Sequence, residues 1–192
     1  MKHSYCASYK NCLIRPVRES DIELLRVWRN NANLSRYLTP VGEITPEMQL
    51  AWFHRNQEDP NIITFVADET ENLHRMVGSA SLYDFVGITA EVGKTMIGDD
   101  EARGKSLGFY SELMAVYVGF EKLGLERIVA RIHEDNQASM KRSRRLGYTV
   151  VGKHPFVTGG YECELECSKE QFYAAHPELS EIHIFEDKGA YL

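Results

Sequence analysis

The densest chemistry in this 192-residue chain lies in one stretch, GDDEARGKSLGFYSELM at 98–114. Gly104 and Gly108 let the backbone approach a ligand closely. Arg103 and Lys105 add full positive charge. A helix starting near Lys105 would leave the N–H groups of Arg103, Gly104, Lys105, Ser106, Leu107 and Gly108 at the positive end of its dipole. Such an arrangement cradles an anionic phosphate. The stretch is not a GxxxxGK[ST] phosphate loop, and no GxGxxG dinucleotide fingerprint occurs. The seven histidines form no HxxxH or HExxH pair, so no metal site is expected. Cys163 and Cys167 are spaced CxxxC. On a strand they would share a face about 13 Å apart, too far for a disulfide, so the thiols read as reduced.

The elements that must hold this loop follow from pattern and punctuation. Residues 12–16 read as a short strand stopped by Pro16. Ser20 is placed to cap a helix from Asp21 to about Asn30. Thr45-Pro46 signals a second helix running to about Asn56, with Met48, Trp52 and Phe53 available for packing. Strands are expected at 62–68, 77–84 and 90–97. A long helix from about Lys105 to Lys122 ends at Gly124. A strand at 127–132, a helix at 137–145 and a strand pair at 148–156 and 161–167 follow. Ser168 and Gln171 make a capping box for a last short helix. This order is a single-domain α/β fold with a mixed, mostly antiparallel sheet. The long crossover helix requires parallel neighbours in the middle.

Hydrophobic residues make up 43 % and charged residues 26 %, the balance of a globular protein, and the net charge is −6. A net acid of this size argues against a nucleic-acid partner. No run approaches a bilayer span and no signal core is evident, so no membrane partner and a cytoplasmic location are expected.

In context the loop resembles the pyrophosphate-binding motif [QR]xxGx[GA] of the GNAT superfamily of N-acetyltransferases. Arg103-Gly104-Lys105-Ser106-Leu107-Gly108 falls on it, with Ser106 where the motif has its central glycine. NQASMKRSRRLGY at 136–148 resembles a second family element. AEVGKTMIGDD at 90–100 is similar to the family's strand that ends in a bulge and splays from its neighbour. CLIRPVRESDIELLRVWRN at 12–30, with ITPEMQLAWF, resembles the branch of the RimJ and RimL enzymes, spermidine acetyltransferases and acetyltransferases of nucleotide-linked amino sugars. The resemblance covers about residues 12–170, leaving 1–11 and 171–192 as extensions.

The resemblance implies a sheet with splayed central strands flanked by helices, and acetyl-CoA as acetyl donor. It implies coenzyme contacts at Met96 and Ile97, at the 103–108 loop and at Asn136. Glu91 is the first candidate for general base, with Asp84 and His133 behind it. The position where many relatives carry a proton-donating tyrosine is Ser143, a far weaker acid. Trp28, Arg29, Asn30 and Tyr83 are expected around the acceptor. The run Lys141, Arg142, Arg144 and Arg145 reads either as a contact for the coenzyme's ribose phosphate or as a solvated helix face. The implied reaction is direct attack by a primary amine in a ternary complex. The acceptor is a small amine, such as a nucleotide-linked amino sugar, or a protein N-terminal amine. A homodimer is common in the resembling family. The competing reading is a non-catalytic acyl-CoA-binding regulatory module.

Overall fold

A computed structural model describes residues 1–187. The chain runs through β1 (Tyr5–Tyr9), β2 (Cys12–Pro16), α1 (Ile22–Asn30), α2 (Ala32–Ser35), α3 (Pro46–Glu58), β3 (Ile62–Glu69), β4 (Arg75–Val86) and β5 (Thr89–Ile97). It continues through α4 (Leu107–Lys122), β6 (Arg127–His133), α5 (Gln137–Arg145), β7 (Thr149–Pro155), β8 (Tyr161–Ser168), α6 (Lys169–Ala175) and β9 (His183–Glu186). The strands form one sheet in the order β7-β8-β6-β5-β4-β3-β2-β1-β9. β5 and β6 run parallel, and the other pairs are antiparallel. A parallel pair needs a crossover, which α4 supplies.

Local chemistry sets most of the boundaries. Thr45 caps α3 by accepting from the Met48 N–H, with Pro46 in the first turn. Ser168 and Gln171 close a capping box on α6. Beyond the end of α4, Gly124 takes the left-handed conformation at φ +67°. The start of α1 departs from expectation, because Ser20 is not its cap. A 3-10 turn over Glu19–Asp21 leads into the helix. The Asp21 carboxylate there accepts from the Arg18 N–H at 2.8 Å and from Arg15 at 2.7 Å. Arg15 is buried and needs carboxylate partners, Asp21 and Asp68, and that need sets the turn. Met48 does not pack either, being 47 % exposed, whereas Trp52 and Phe53 do pack.

The sheet separates two cores. On β3, Ile63, Phe65 and Ala67 join the larger core, and Val66 points into the smaller one. α4 lies on the larger core with Leu113, Met114 and Val116 fully buried. Truncating a leucine in such a place to alanine costs about 2–5 kcal/mol. α1 and α3 cover the other face through Ile22, Trp28, Trp52 and Phe53.

The segments flanking residues 12–170 contribute to the same sheet. β1 pairs with β2 through Ala7↔Ile14, and with β9 through Cys6↔Phe185. Residues 188–192 of the expected C-terminal extension lie outside the described residues.

The feature that shapes the site is a loss of pairing at the centre. β5 pairs with β6 at Thr89↔Arg127, Ala90↔Ile128 and Glu91↔Val129, and no further. On its other side β5 stays with β4, through a bulge between Ser81↔Gly93 and Ser79↔Met96.

Candidate functional site

Beyond Glu91 and Val129 the two strands diverge, and the gap is a cleft. Val92, Gly93, Lys94 and Thr95 of β5 form one wall, and Ala130 to His133 of β6 the other. Ala130 and Ile132 belong to the larger core beside α4, so Arg131 and His133, which alternate with them, face the opposite side. The cleft therefore passes through the sheet. Glu112 of α4 and Asn136, Ser139 and Arg142 of α5 close it on one side, and Tyr37 and Leu38 close it on the other.

On the α4 side the glycine loop is built as a cradle. The helix begins at Leu107, two residues later than its spacing suggests, because Ser106 is in the left-handed conformation at φ +64°. Gly104 is also left-handed, at φ +78°, with open space around it. The N–H groups of residues 104–108 have no acceptor among the described residues. Ser106 thus adopts a conformation natural to the glycine of the resembling motif. A Cβ on Gly108 would stand 3.3 Å from Ile97 Cγ1 and 3.8 Å from Arg142 Nη1, so the Arg142 guanidinium lies beside the helix tip. Leu107 anchors the helix in the core. Lys105 is exposed and makes no ion pair among the described residues. Arg103 is spent on the loop itself, donating to the carbonyls of Ile97 and Gly98 and pairing with Asp100.

The basic run on α5 is not one solvated face. Arg142 donates to Glu112 at 2.7 Å, and Arg145 stacks on the Phe109 ring at 3.6 Å. Lys141 and Arg144 remain exposed. Asn136 caps α5, accepting from Ser139 N–H with its side-chain oxygen. Its side-chain NH₂ makes no hydrogen bond among the described residues, and Asn136 lines the cleft. The Thr95 hydroxyl is buried in the cleft wall with no partner among the described residues. A buried donor without a partner costs about 1–3 kcal/mol, so it marks a place where a ligand's polar group fits. Met96 and Ile97 stand opposite Ser79 and Gly78 of β4, leading from the cleft to the cradle.

On the other side, Glu91 accepts from the Tyr83 hydroxyl at 2.6 Å and pairs with Arg131. Burial raises its pKa, against the Tyr83 hydrogen bond and the Arg131 charge, which lower it. Burial and then the charge of Glu91 hold the Tyr83 phenol far above its ordinary pKa, so it is a fixed donor to Glu91. Glu91 stands at the last β5–β6 pair before the strands part, and a buried carboxylate with a raised pKa there is suited to accept a proton. Asp84 is exposed and does not line the cleft. His133 does line it, but both its nitrogens are engaged. Nδ1 lies 3.2 Å from the Asp135 N–H and Nε2 3.2 Å from the Gly159 carbonyl, an arrangement that needs the neutral tautomer with its proton on Nε2. His133 is a post that stacks with Tyr37 and meets Phe156 edge to face.

Several expected site residues fall elsewhere. Ser143 is fully buried with its hydroxyl unpartnered, and α5 presents Ser139 and Arg142 to the cleft instead. Trp28 is 6 % exposed in the smaller core, with its ring so close to Gly98 that a Cβ there would lie 1.9 Å away. It fixes the start of the cradle from behind rather than meeting an acceptor. Asn30 clamps Ile44, donating to its carbonyl and accepting from its N–H, both at 2.9 Å. Arg29 donates to the Thr39 carbonyl at 2.6 Å. These two shape the segment before α3 and border an open hollow that shares Leu38 with the cleft.

Glu112 and Tyr37 were not anticipated. The signal for Glu112 was available: it is the one acid within the apolar run LGFYSELMAVYVGF. Nothing local to Tyr37 announces its contact with His133, which is 96 positions away.

A family profile described as an acetyltransferase (GNAT) domain matches residues 11–149. An N-acetyltransferase 9-like protein of Caenorhabditis elegans is 26 % identical over 94 % of this chain and 92 % of its own length. The human alpha/beta-tubulin-N-acetyltransferase 9 is 28 % identical over 65 % of each chain. Among solved structures, the spermidine N-acetyltransferase from Vibrio cholerae in complex with CoA and spermine superposes with a TM-score of 0.75 at 16 % identity. That match covers 84 % of this chain and 98 % of the other.

Proposed function

The chain belongs to the GNAT acetyltransferase family and uses acetyl-CoA to acetylate an amine; on that premise we propose that the amine is the N-terminal amine of a protein, attacking the acetyl group directly in a ternary complex. The passage of the cleft through the sheet carries this reading. The phosphate cradle lies on the α4 side and the Tyr83–Glu91–Arg131 cluster on the other, so two substrates can enter from opposite faces and meet between β5 and β6.

The residues present fit the coenzyme. The free N–H groups of 104–108, with Lys105 and Arg142 beside them, would hold its diphosphate. The Asn136 amide and the Thr95 hydroxyl would take polar groups of its arm. When bound it supplies the acetyl group as a thioester. Glu91 accepts the proton that the amine loses, and Tyr83 and Arg131 hold the carboxylate in place. No cysteine lines the cleft among the described residues, and burial pushes the Cys6 thiol up to about 11 and Cys12 and Cys167 up to about 12. An acetyl-cysteine relay is therefore disfavoured, which supports direct attack.

The open hollow continuing from the cleft past Leu38, with Val41 at its edge 53 % exposed, favours an extended peptide over a small enclosed amine. The human relative's name points the same way. A purely regulatory coenzyme-binding role would draw on Ser106, on Ser143 and on the lack of an unambiguous base. Ser106 holds the loop geometry of a glycine and Glu91 is a buried carboxylate held by Tyr83 and Arg131, which favours the catalytic reading, and the buried Ser143 leaves protonation of the thiolate to water.

The test is thiol release with a panel of N-terminal peptides, including those of α- and β-tubulin, alongside spermidine and a nucleotide-linked amino sugar. At least one peptide should exceed both small amines by tenfold or more in kcat/KM, with intersecting initial-rate lines. Faster turnover of a small amine overturns the acceptor assignment, and parallel lines overturn direct attack.

A further inference from the structure

Lys94 is the only lysine in the cleft wall among the described residues. It sits in the β5 bulge with a left-handed backbone at φ +53°. Its ammonium lies 4.4 Å from the centre of the Tyr83 ring, and the hydroxyl of that ring reaches Glu91 at 2.6 Å. Lys94 is exposed and makes no ion pair or hydrogen bond with its side chain among the described residues. Lys153 and Lys169 are held differently, Lys153 pairing with Glu134 and Lys169 donating to the Phe120 carbonyl, and the exposed Lys105 and Lys141 do not line the cleft.

We infer that Lys94 is a self-acetylation site, its side-chain amine taking the acetyl group when acetyl-CoA fills the cleft and no other amine is present. The inference rests on the reading of the cleft given above. The neutral nitrogen attacks the thioester carbonyl carbon. A C–N bond forms as the C–S bond breaks, the surplus nitrogen proton passes to the Glu91 carboxylate, and the thiolate leaves and takes a proton from water. The products are an uncharged N-acetyl-lysine and free coenzyme thiol, with no further reactant required.

The surroundings favour the neutral amine. The cleft walls lower the Lys94 pKa by desolvation, and Arg29 adds to this, against Asp84, Glu91 and Asp59, which raise it. Lys10 and Lys153 shift upward, through a hydrogen bond to Tyr9 and the pairing with Glu134. At a given pH more of Lys94 is therefore nucleophilic. Acetylation removes the cation from the Tyr83 ring and fills the place where an acceptor amine would stand.

The test incubates the intact protein with acetyl-CoA and no acceptor, then maps acetylated peptides by mass spectrometry. Lys94 should reach at least half occupancy, tenfold or more above Lys10 and Lys153, and should stay unmodified in Gly108→Asp. A reading independent of the coenzyme is competitive labelling of the free protein with trace acetic anhydride across pH. There the Lys94 midpoint should fall below those of Lys10 and Lys153. Uniform acetylation of lysines that persists in Gly108→Asp is solution chemistry and overturns the inference. An unmodified Lys94 in a protein that binds coenzyme by calorimetry overturns the inference and leaves the cleft assignment standing. Absence of coenzyme binding overturns both.

Discussion

Replacing Gly108 by aspartate sets two effects of the same charge against each other. The residue is in the first turn of α4, behind Ser106 and Leu107, with its N–H free. A carboxylate there interacts favourably with the helix dipole, by about 0.3–1 kcal/mol. The fold should keep or gain stability, provided Ile97 Cγ1, 3.3 Å from the new Cβ, moves by a few tenths of an ångström. A bound diphosphate feels the opposite. Two like charges about 5 Å apart repel by about 0.8 kcal/mol in bulk water and about 3 kcal/mol at an effective dielectric near 20. Since about 1.4 kcal/mol is tenfold, the coenzyme Kd should rise by a factor between roughly four and roughly 150. Arg142, whose Nη1 is 3.8 Å from that Cβ, would also be drawn toward the new carboxylate and away from the ligand. Gly108→Ala is the control, adding the methyl group without the charge. Calorimetric titration at low and at high salt, with a thermal melt of each variant, measures both effects. Added salt should narrow the gap between aspartate and glycine. A Gly108→Asp protein that binds coenzyme within twofold of the parent, or loses affinity together with its thermal stability, refutes the cradle.

Glu91→Gln should cut kcat by a hundredfold or more with little change in coenzyme Kd, read by steady-state rates and calorimetry. Arg131 lowers the Glu91 pKa, so Arg131→Ala should move the acid limb of the kcat/KM profile to higher pH, and an unchanged limb would remove Glu91 as the titrating base. At Ser106, held at φ +64°, glycine should bind coenzyme at least as tightly as serine. Valine there should cost about 1–3 kcal/mol in a denaturation curve, since a branched side chain resists that conformation. For Glu69, burial opposes ionisation, but hydrogen bonds from the Leu73 and Asn72 N–H groups and from Asn11 hold its pKa at about 2. A depressed carboxylate contributes stability above its unfolded pKa and loses it as pH falls toward 2. Glu69→Gln should therefore be less stable than the parent at pH 7, with the difference shrinking in melts below about pH 4.5.

Local signals carried the elements whose causes are local. The Thr45-Pro46 start and the Ser168–Gln171 box act within a few residues and end up where their spacing placed them, and the glycine loop of 103–108 misses only by the two residues that the left-handed Ser106 adds before the helix. β1 and β9 are short and are held by pairing 175 or more positions apart, so their sequences YCASY and HIFE carry little sign of a sheet edge. The acceptor side of the site was harder to read for the same reason. The residues WRN at 28–30 have the composition of a binding pocket, but Trp28 packs on Gly98 and Asn30 clamps Ile44, long-range contacts that leave only Arg29 and Asn30 at the border of the hollow. The contacts of Tyr37 with His133 and of Glu112 with Arg142 join elements that no window spans.

Most sheets end at their two outer borders, where any passing chain can add itself. This one has a further opening in its interior, where two neighbours hold hands at Glu91 and Val129 and then let go. The opening is a wedge, closed at its apex, so its own taper selects what can seat in it. A slim, flexible arm slides toward the point, and a strand that brings its own neighbours is too wide. Peptide groups left idle along both sides would then be occupied only by the cosubstrate, and its arrival would lock together two halves of the molecule that are otherwise joined there by three residue pairs.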